Sequence, residues 1–220
     1  GSRIVFDSHR GGKGSALYEI PASGAVPERV MIKADNDDFI AASDWSRDGK
    51  YIVFQRSPGG APPWAIWAVP IGGDMKPFPY KPASSVDYFV AKFSPNGRWL
   101  AYSTNESGSY QVVVQPFPDP SGGKWQISSS DGGSSAWRAD GRELYYLTPS
   151  GEMMAVEVTT DPIFTVGKST MLFRTPLVGT IAGGYDVTRD GQRFLIVVPQ
   201  ATTLPPITTV LNWMSLLRLN

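Results

Sequence analysis

The chain has 220 residues, 20 Lys plus Arg against 20 Asp plus Glu, one histidine and no cysteine. A compact chain of this length buries roughly 70% of its unfolded surface and needs no disulfide or metal staple. A disulfide framework, a thiolate metal site and a cysteine nucleophile are excluded, and the balanced charge lacks the basic excess of a nucleic-acid binder. No apolar run approaches the roughly 20 residues of a membrane-spanning helix, and the opening "GSRIVFDSHR" carries no signal-peptide pattern. Lack of cysteine is compatible with cytosol and periplasm alike.

The first predicted strands lie in "RIVF", "ALYEIP" and "RVMIKA". A phrase then appears that returns three times: "ASDWSRDGKYIVF", "AKFSPNGRWLAY", "SAWRADGRELYY" and "YDVTRDGQRFLI". Its turn glycines, Gly49, Gly97, Gly141 and Gly191, recur at intervals of 48, 44 and 50 residues. Each follows Asp or Asn, a pairing that favours a tight hairpin because glycine accepts positive φ and the carboxyl or amide bonds its own backbone. Four residues earlier stands Trp45, Phe93, Trp137 or Val187, closing an incoming strand with an apolar group. The outgoing strands "YIVF", "WLAY", "ELYY" and "RFLI" are apolar on both faces, as for a sheet packed on both sides.

Each unit continues into two more strands. After "YIVF" come "WAIWAVP" and "KPFPY"; after "WLAY" come "YQVVVQPF" and "KWQISSS"; after "ELYY" come "MMAVEVTT" and "TMLFRTP". A repeat of about 40–50 residues with four strands predicts β-propeller blades. The expected fold is therefore all-β, with about five four-stranded antiparallel blades in one domain. The approximate units are 1–38, 39–86, 87–130, 131–180 and 181–220. "GSRIVF" overlays "GKYIVF", so the first unit starts at its second strand. The last unit continues through "TTVLNWM" to "SLLRLN", where a fourth strand is doubtful. Two incomplete units at the ends suit a piece of a longer propeller, with open blade faces covered by a second copy. A closed five-bladed ring is the alternative.

The phrase [W/F]-S-x-[D/N]-G-[K/R]-x-[I/L]-x-[F/Y] resembles the TolB-type, WD40-like propeller repeat. Trp45-Ser46-Arg47-Asp48-Gly49-Lys50 and Phe93-Ser94-Pro95-Asn96-Gly97-Arg98 follow it closely. Trp137-Arg138 replaces the serine, and Val187-Thr188 departs furthest. The C-terminal half is similar to the propeller attached to some bacterial serine/threonine kinases and regulators. That resemblance implies an accessory sensor or protein-binding module in an extracytoplasmic position. No kinase motif and no Gly-x-Ser-x-Gly elbow occurs in the chain. A prolyl-oligopeptidase-like hydrolase with its catalytic domain elsewhere is the other reading.

Candidate chemistry is sparse. His9, the one histidine, is either a triad member or an exposed loop residue. "ADNDDF" (34–39) offers oxygens to a hard cation, or simply forms a turn. One residue before each apolar anchor stand Asp44, Lys92, Ala136 and Asp186. On innermost strands they would face a central channel and bind an ion or small polar ligand, or else pair locally. Arg56, Trp64, Asn105, Glu106 and Tyr110 fall in loops on one rim. Arg, Trp and Tyr are enriched in binding hot spots, though such side chains also pack beneath their own loops. No cofactor and no catalytic residue is expected. The expected partner is a protein or small polar ligand, not nucleic acid or a membrane interior.

Overall fold

The computed structural model describes residues 2–10, 14–35, 37–179 and 184–198. Blade 1 contains β1 (Arg3–Ser8), β2 (Ala16–Pro21) and β3 (Arg29–Lys33). Blade 2 contains β4 (Phe39–Trp45), β5 (Tyr51–Ser57), β6 (Ala65–Pro70) and β7 (Phe78–Lys81). Blade 3 contains β8 (Tyr88–Phe93), β9 (Trp99–Thr104), β10 (Gln111–Pro116) and the two-residue β11 (Trp125–Gln126). Blade 4 contains β12 (Gly133–Trp137), β13 (Glu143–Leu147), β14 (Glu152–Thr159) and β15 (Thr165–Arg174). Blade 5 shows β16 (Tyr185–Val187) and β17 (Phe194–Ile196). Its expected later strands, "TTVLNWM" and "SLLRLN", lie outside the described residues. Helix among the described residues is limited to two three-residue 3-10 turns, Pro58–Gly60 and Pro120–Gly122.

Every blade is an antiparallel meander in sequence order. The innermost strands β4, β8, β12 and β16 contact one another in succession, and β1 leans on β4. This is the radial arrangement of a propeller. Among the described residues blade 1 has no inner strand in front of β1.

The repeated phrase forms the same turn four times. The glycine N–H donates to the carbonyl of Ser46, Ser94, Arg138 or Thr188, at 2.8–3.0 Å. The N–H of that same residue donates to the carbonyl of Tyr51, Trp99, Glu143 or Arg193. All four glycines hold φ between 70° and 76°, where an ordinary side chain is strained. In three turns a hydroxyl completes the wiring. Ser46 Oγ donates to Asp48 at 2.7 Å and accepts from Tyr51 N–H at 2.9 Å. Ser94 and Thr188 repeat the pattern with Asn96 and Asp190. These bonds pull the Asp48 and Asp190 carboxyls below their ordinary range. In blade 4 the guanidinium of Arg138 pairs with Asp140 and Glu143 instead. The turns share one face: a Cβ on Gly141 would sit 3.6 Å from Pro95, and Arg47 bonds the carbonyl of Ala139.

Four apolar clusters fill the four junctions between consecutive blades. Leu17, Ile40, Ile52, Phe54 and Val69 join blades 1 and 2. Val53, Ile66, Phe93, Leu100 and Tyr102 join blades 2 and 3. Val112, Trp137, Leu144, Val156 and Phe164 join blades 3 and 4, and Tyr145, Leu147, Met153 and Leu177 meet Phe194 between blades 4 and 5. Burial on both faces explains the non-alternating strands: β9 is buried throughout. In blade 5 the expectation of burial on both faces does not hold, since Leu195 on β17 is 72% exposed.

The apolar anchors divide. Phe93 and Trp137 are buried as expected, whereas Trp45 is only half-buried. The indole N–H of Trp137 donates to the Lys92 carbonyl on the preceding inner strand at 3.0 Å. Trp45 has no preceding inner strand among the described residues. The Arg3 guanidinium covers its ring at 4.5 Å, and its buried Nε1 has no partner.

Candidate functional site

The five rim residues are held by their own surroundings. Asp87, just before β8, accepts from Trp64 N–H at 2.9 Å, Tyr110 Oη at 2.8 Å and Asn105 Nδ2 at 3.3 Å. Its own N–H donates to Asn105 Oδ1. Three of the five are thus fastened to one buried carboxylate. Arg56 bridges Asp35 and Asp38 and lies over the Trp67 ring at 4.9 Å, so these two carboxylates are held by one guanidinium. Glu106 pairs with Lys124 and Lys81. Burial works to raise its carboxyl, but Lys124, Tyr88 and Lys81 outweigh burial and hold it below the ordinary range. His9 is exposed and meets Phe39 edge-on at 5.2 Å.

The channel set behaves differently. Asp44, Lys92, Ala136 and Asp186 all line one cavity of about 230 Å³, together with Trp45, Arg47 and Arg189. Lys92, Ala136 and Asp186 also line a second cavity of about 480 Å³. The two cavities share these three residues and so adjoin along the channel-facing strands.

Local backbone geometry puts them there. The three longer inner strands each carry a β-bulge just before the channel residue: between Ala42 and Asp44, Phe89 and Lys92, and Gly133 and Ala136. A bulge inserts one unpaired residue and re-aims its neighbours, which is why bulges gather beside sites. At matching positions Val90 and Ser134 both hold φ of 53°, and Gly184 holds 95°. Left-handed backbone at a β-branched residue costs about 1–3 kcal/mol and persists only where the surroundings impose it. Gln55 helps to impose it: its side-chain carbonyl accepts from Val90 N–H at 3.0 Å.

Charges in the channel wall are largely matched. Lys92 Nζ donates to the Ser43 carbonyl at 2.8 Å, and Asp44 accepts from Phe93 N–H at 2.8 Å. Burial raises the Asp44 carboxyl above its ordinary value, against the pull of Lys92. Asp186 accepts from the N–H of Val187. At the turn face Arg47 reaches the Ala139 carbonyl at 2.7 Å, and Ala139 N–H reaches the Arg189 carbonyl at 3.2 Å. Among the described residues no cluster of three or more Asp, Glu or His side chains suits a metal ion.

Several channel residues were not singled out from the sequence: Ser43, Gln55, Ser135 and Tyr185 line the larger cavity. Ser43, Ser135 and Tyr185 share one register position, occupied by Ala91 in blade 3. A polar residue recurring one place before the channel position was the available signal.

No protein-family model matches the chain, and no curated protein does. Solved structures do. TolB from Acinetobacter baumannii superposes with a TM-score of 0.63 at 16% identity, over 87% of this chain and 44% of its own. TolB from Agrobacterium tumefaciens gives 0.61 at 17% identity, over 79% of this chain and 61% of its own. The chain has the fold of a TolB-type β-propeller. Prolyl oligopeptidase B from Galerina marginata gives 0.57 at 10% identity, over 88% of this chain and 28% of its own. The chain therefore spans less than two thirds of each of these structures.

Proposed function

We propose that this propeller is a non-catalytic binding module of a larger bacterial protein. Its partner is a protein or a small polar ligand, a second copy of the chain included. One observation carries the reading: the inner strands of blades 2, 3 and 5, two of them bulged, bring Asp44, Lys92 and Asp186 to the lining of a single cavity, whereas His9 packs against Phe39 and does not line it. A nucleophile needs a base within hydrogen-bond reach, and the channel side chains are arranged for recognition instead. The resemblance to kinase-attached propellers and the TolB fold both favour this reading.

A second reading has its own support in the likeness to prolyl oligopeptidase B: the propeller of a serine hydrolase whose catalytic residues lie in another domain. Both readings expect the chain itself to be inactive. Assayed on ester, peptide and glycoside panels, it should show no turnover above the uncatalysed rate. Turnover that disappears with His9→Ala would overturn both readings.

A further inference from the structure

The larger channel cavity, about 480 Å³, falls within the range of roughly 300–1,000 Å³ typical of small-molecule sites. Three hydroxyl-bearing residues line it: Ser43 on β4, Ser135 on β12 and Tyr185 on β16, the last with its ring packed against Phe194 between blades 4 and 5. The oxygen of each is buried without a hydrogen-bond partner. Burying a hydroxyl unpaired costs free energy, and natural interiors leave few such groups. Here three occur at one register position of three inner strands, on residues that line one cavity. The strained backbone at Val90 and Ser134 belongs to the same wall. Unsatisfied groups and backbone strain coincide where a structure is built around something other than its own packing.

The nature of the wall selects the ligand. Lys92 already donates to the Ser43 carbonyl, and Asp44 already accepts from Phe93. Lys92 and Asp186 both line the cavity, so a purely anionic guest meets Asp186 and a purely cationic guest meets Lys92. What the wall offers is hydroxyls that both donate and accept, the side-chain amide of Gln55, and a gap where Ala136 replaces a longer side chain. Seryl oxygens move between staggered positions by one χ1 rotation, which turns those of Ser43 and Ser135 toward a guest. We propose that this cavity takes a small uncharged, hydroxyl-rich ligand, of the size of a polyol or monosaccharide. The proposal rests on the binding-module reading and assigns its ligand class.

The test titrates the whole chain calorimetrically with myo-inositol, glycerol, glucose and mannose, and with gluconate, glucose 6-phosphate and glucosamine as charged counterparts. At least one uncharged compound should bind saturably, with the charged ones at least about tenfold weaker. Ser135→Ala should weaken binding roughly five- to tenfold, the loss expected for one hydrogen bond. The same variant should leave the unliganded melting temperature unchanged or raise it, because it removes an unpaired buried hydroxyl. Ala136→Trp should abolish binding by filling the gap. No saturable binding by any uncharged compound, tighter binding of a charged one, or a lowered melting temperature for unliganded Ser135→Ala would overturn the proposal. The two readings fail separately. Turnover of a glycoside removes the binding module itself. A charged ligand whose binding is lost in Ala136→Trp leaves the module standing and removes only the polyol assignment.

Discussion

Trp45 and Trp137 occupy the same place in the repeat and have different surroundings. At the junction of blades 3 and 4, Trp137 is 9% exposed, meets Phe164 edge-on at 6.3 Å and donates its indole proton to Lys92. At the junction of blades 1 and 2, Trp45 is half-buried under the Arg3 guanidinium, with its indole N–H unpartnered. The residue type fits the blade in both cases. Its energetic role is set by whether the preceding blade presents an inner-strand carbonyl and an apolar face. An anchor in a repeat protein is thus half of an interaction whose other half belongs to its neighbour, as expected where stability sums unit and interface terms.

The comparison breaks most readily on truncation. Trp137→Ala should cost about 3–5 kcal/mol, the range for emptying a large aromatic site, and Trp45→Ala about half of that or less. Equal losses in urea denaturation would show that the two anchors carry the same weight. A finer contrast comes from phenylalanine. Trp137→Phe keeps most of the packing but removes the donor to Lys92, a loss of about 1 kcal/mol. Trp45→Phe discards an N–H that has no partner, so its stability should match or exceed that of the parent. A loss at Trp45 as large as at Trp137 would mean that its indole is bonded in solution.

The smallest effect concerns Asp44, at the junction of blades 2 and 3, and reads out with pH. Burial raises its carboxyl in the folded chain, so the folded state holds the proton more tightly than the unfolded state does. Its contribution to stability therefore becomes less favourable as pH rises from the unfolded value, near 3.8, through the raised folded value. Relative to Asp44→Asn, the parent should gain stability as pH falls from neutral towards the ordinary carboxylate range. A difference that stays flat or moves the other way would place Asp44 in a stabilising ion pair.

The hairpins and blades were legible because their determinants are local. Asp48-Gly49, Asn96-Gly97, Asp140-Gly141 and Asp190-Gly191 each specify a turn from residues adjacent in sequence, and the period of the phrase counts the blades. The predicted strand "TMLFRTP" is longer in the structure, since β15 also takes in Thr165–Ser169. Burial of Trp45 was not legible, because it depends on a strand in another unit. The left-handed Val90 ran against local preference, since β-branched residues disfavour positive φ, so only the assembled channel reveals it. Asp87 belongs to no phrase; it fastens Trp64, Asn105 and Tyr110 because three loops converge on it. The charged residues Asp44, Lys92 and Asp186 were visible as a register, whereas the place of Ser43 and Ser135 depends on the bulges beside them and was not.

Every hydrogen-bonded strand pair in the described sheets joins neighbours in sequence. A blade is therefore complete once its own contiguous stretch of chain exists, and it waits for nothing made later. At synthesis rates of about 5–20 residues per second, a unit of roughly 45 residues emerges in about 2–9 seconds, far longer than the microseconds in which a hairpin closes. Each sheet can form while the next is still being made, and its apolar face is then exposed only until the following blade docks. Sequence-local pairing thus lets the propeller be wound in the order in which the ribosome delivers its blades.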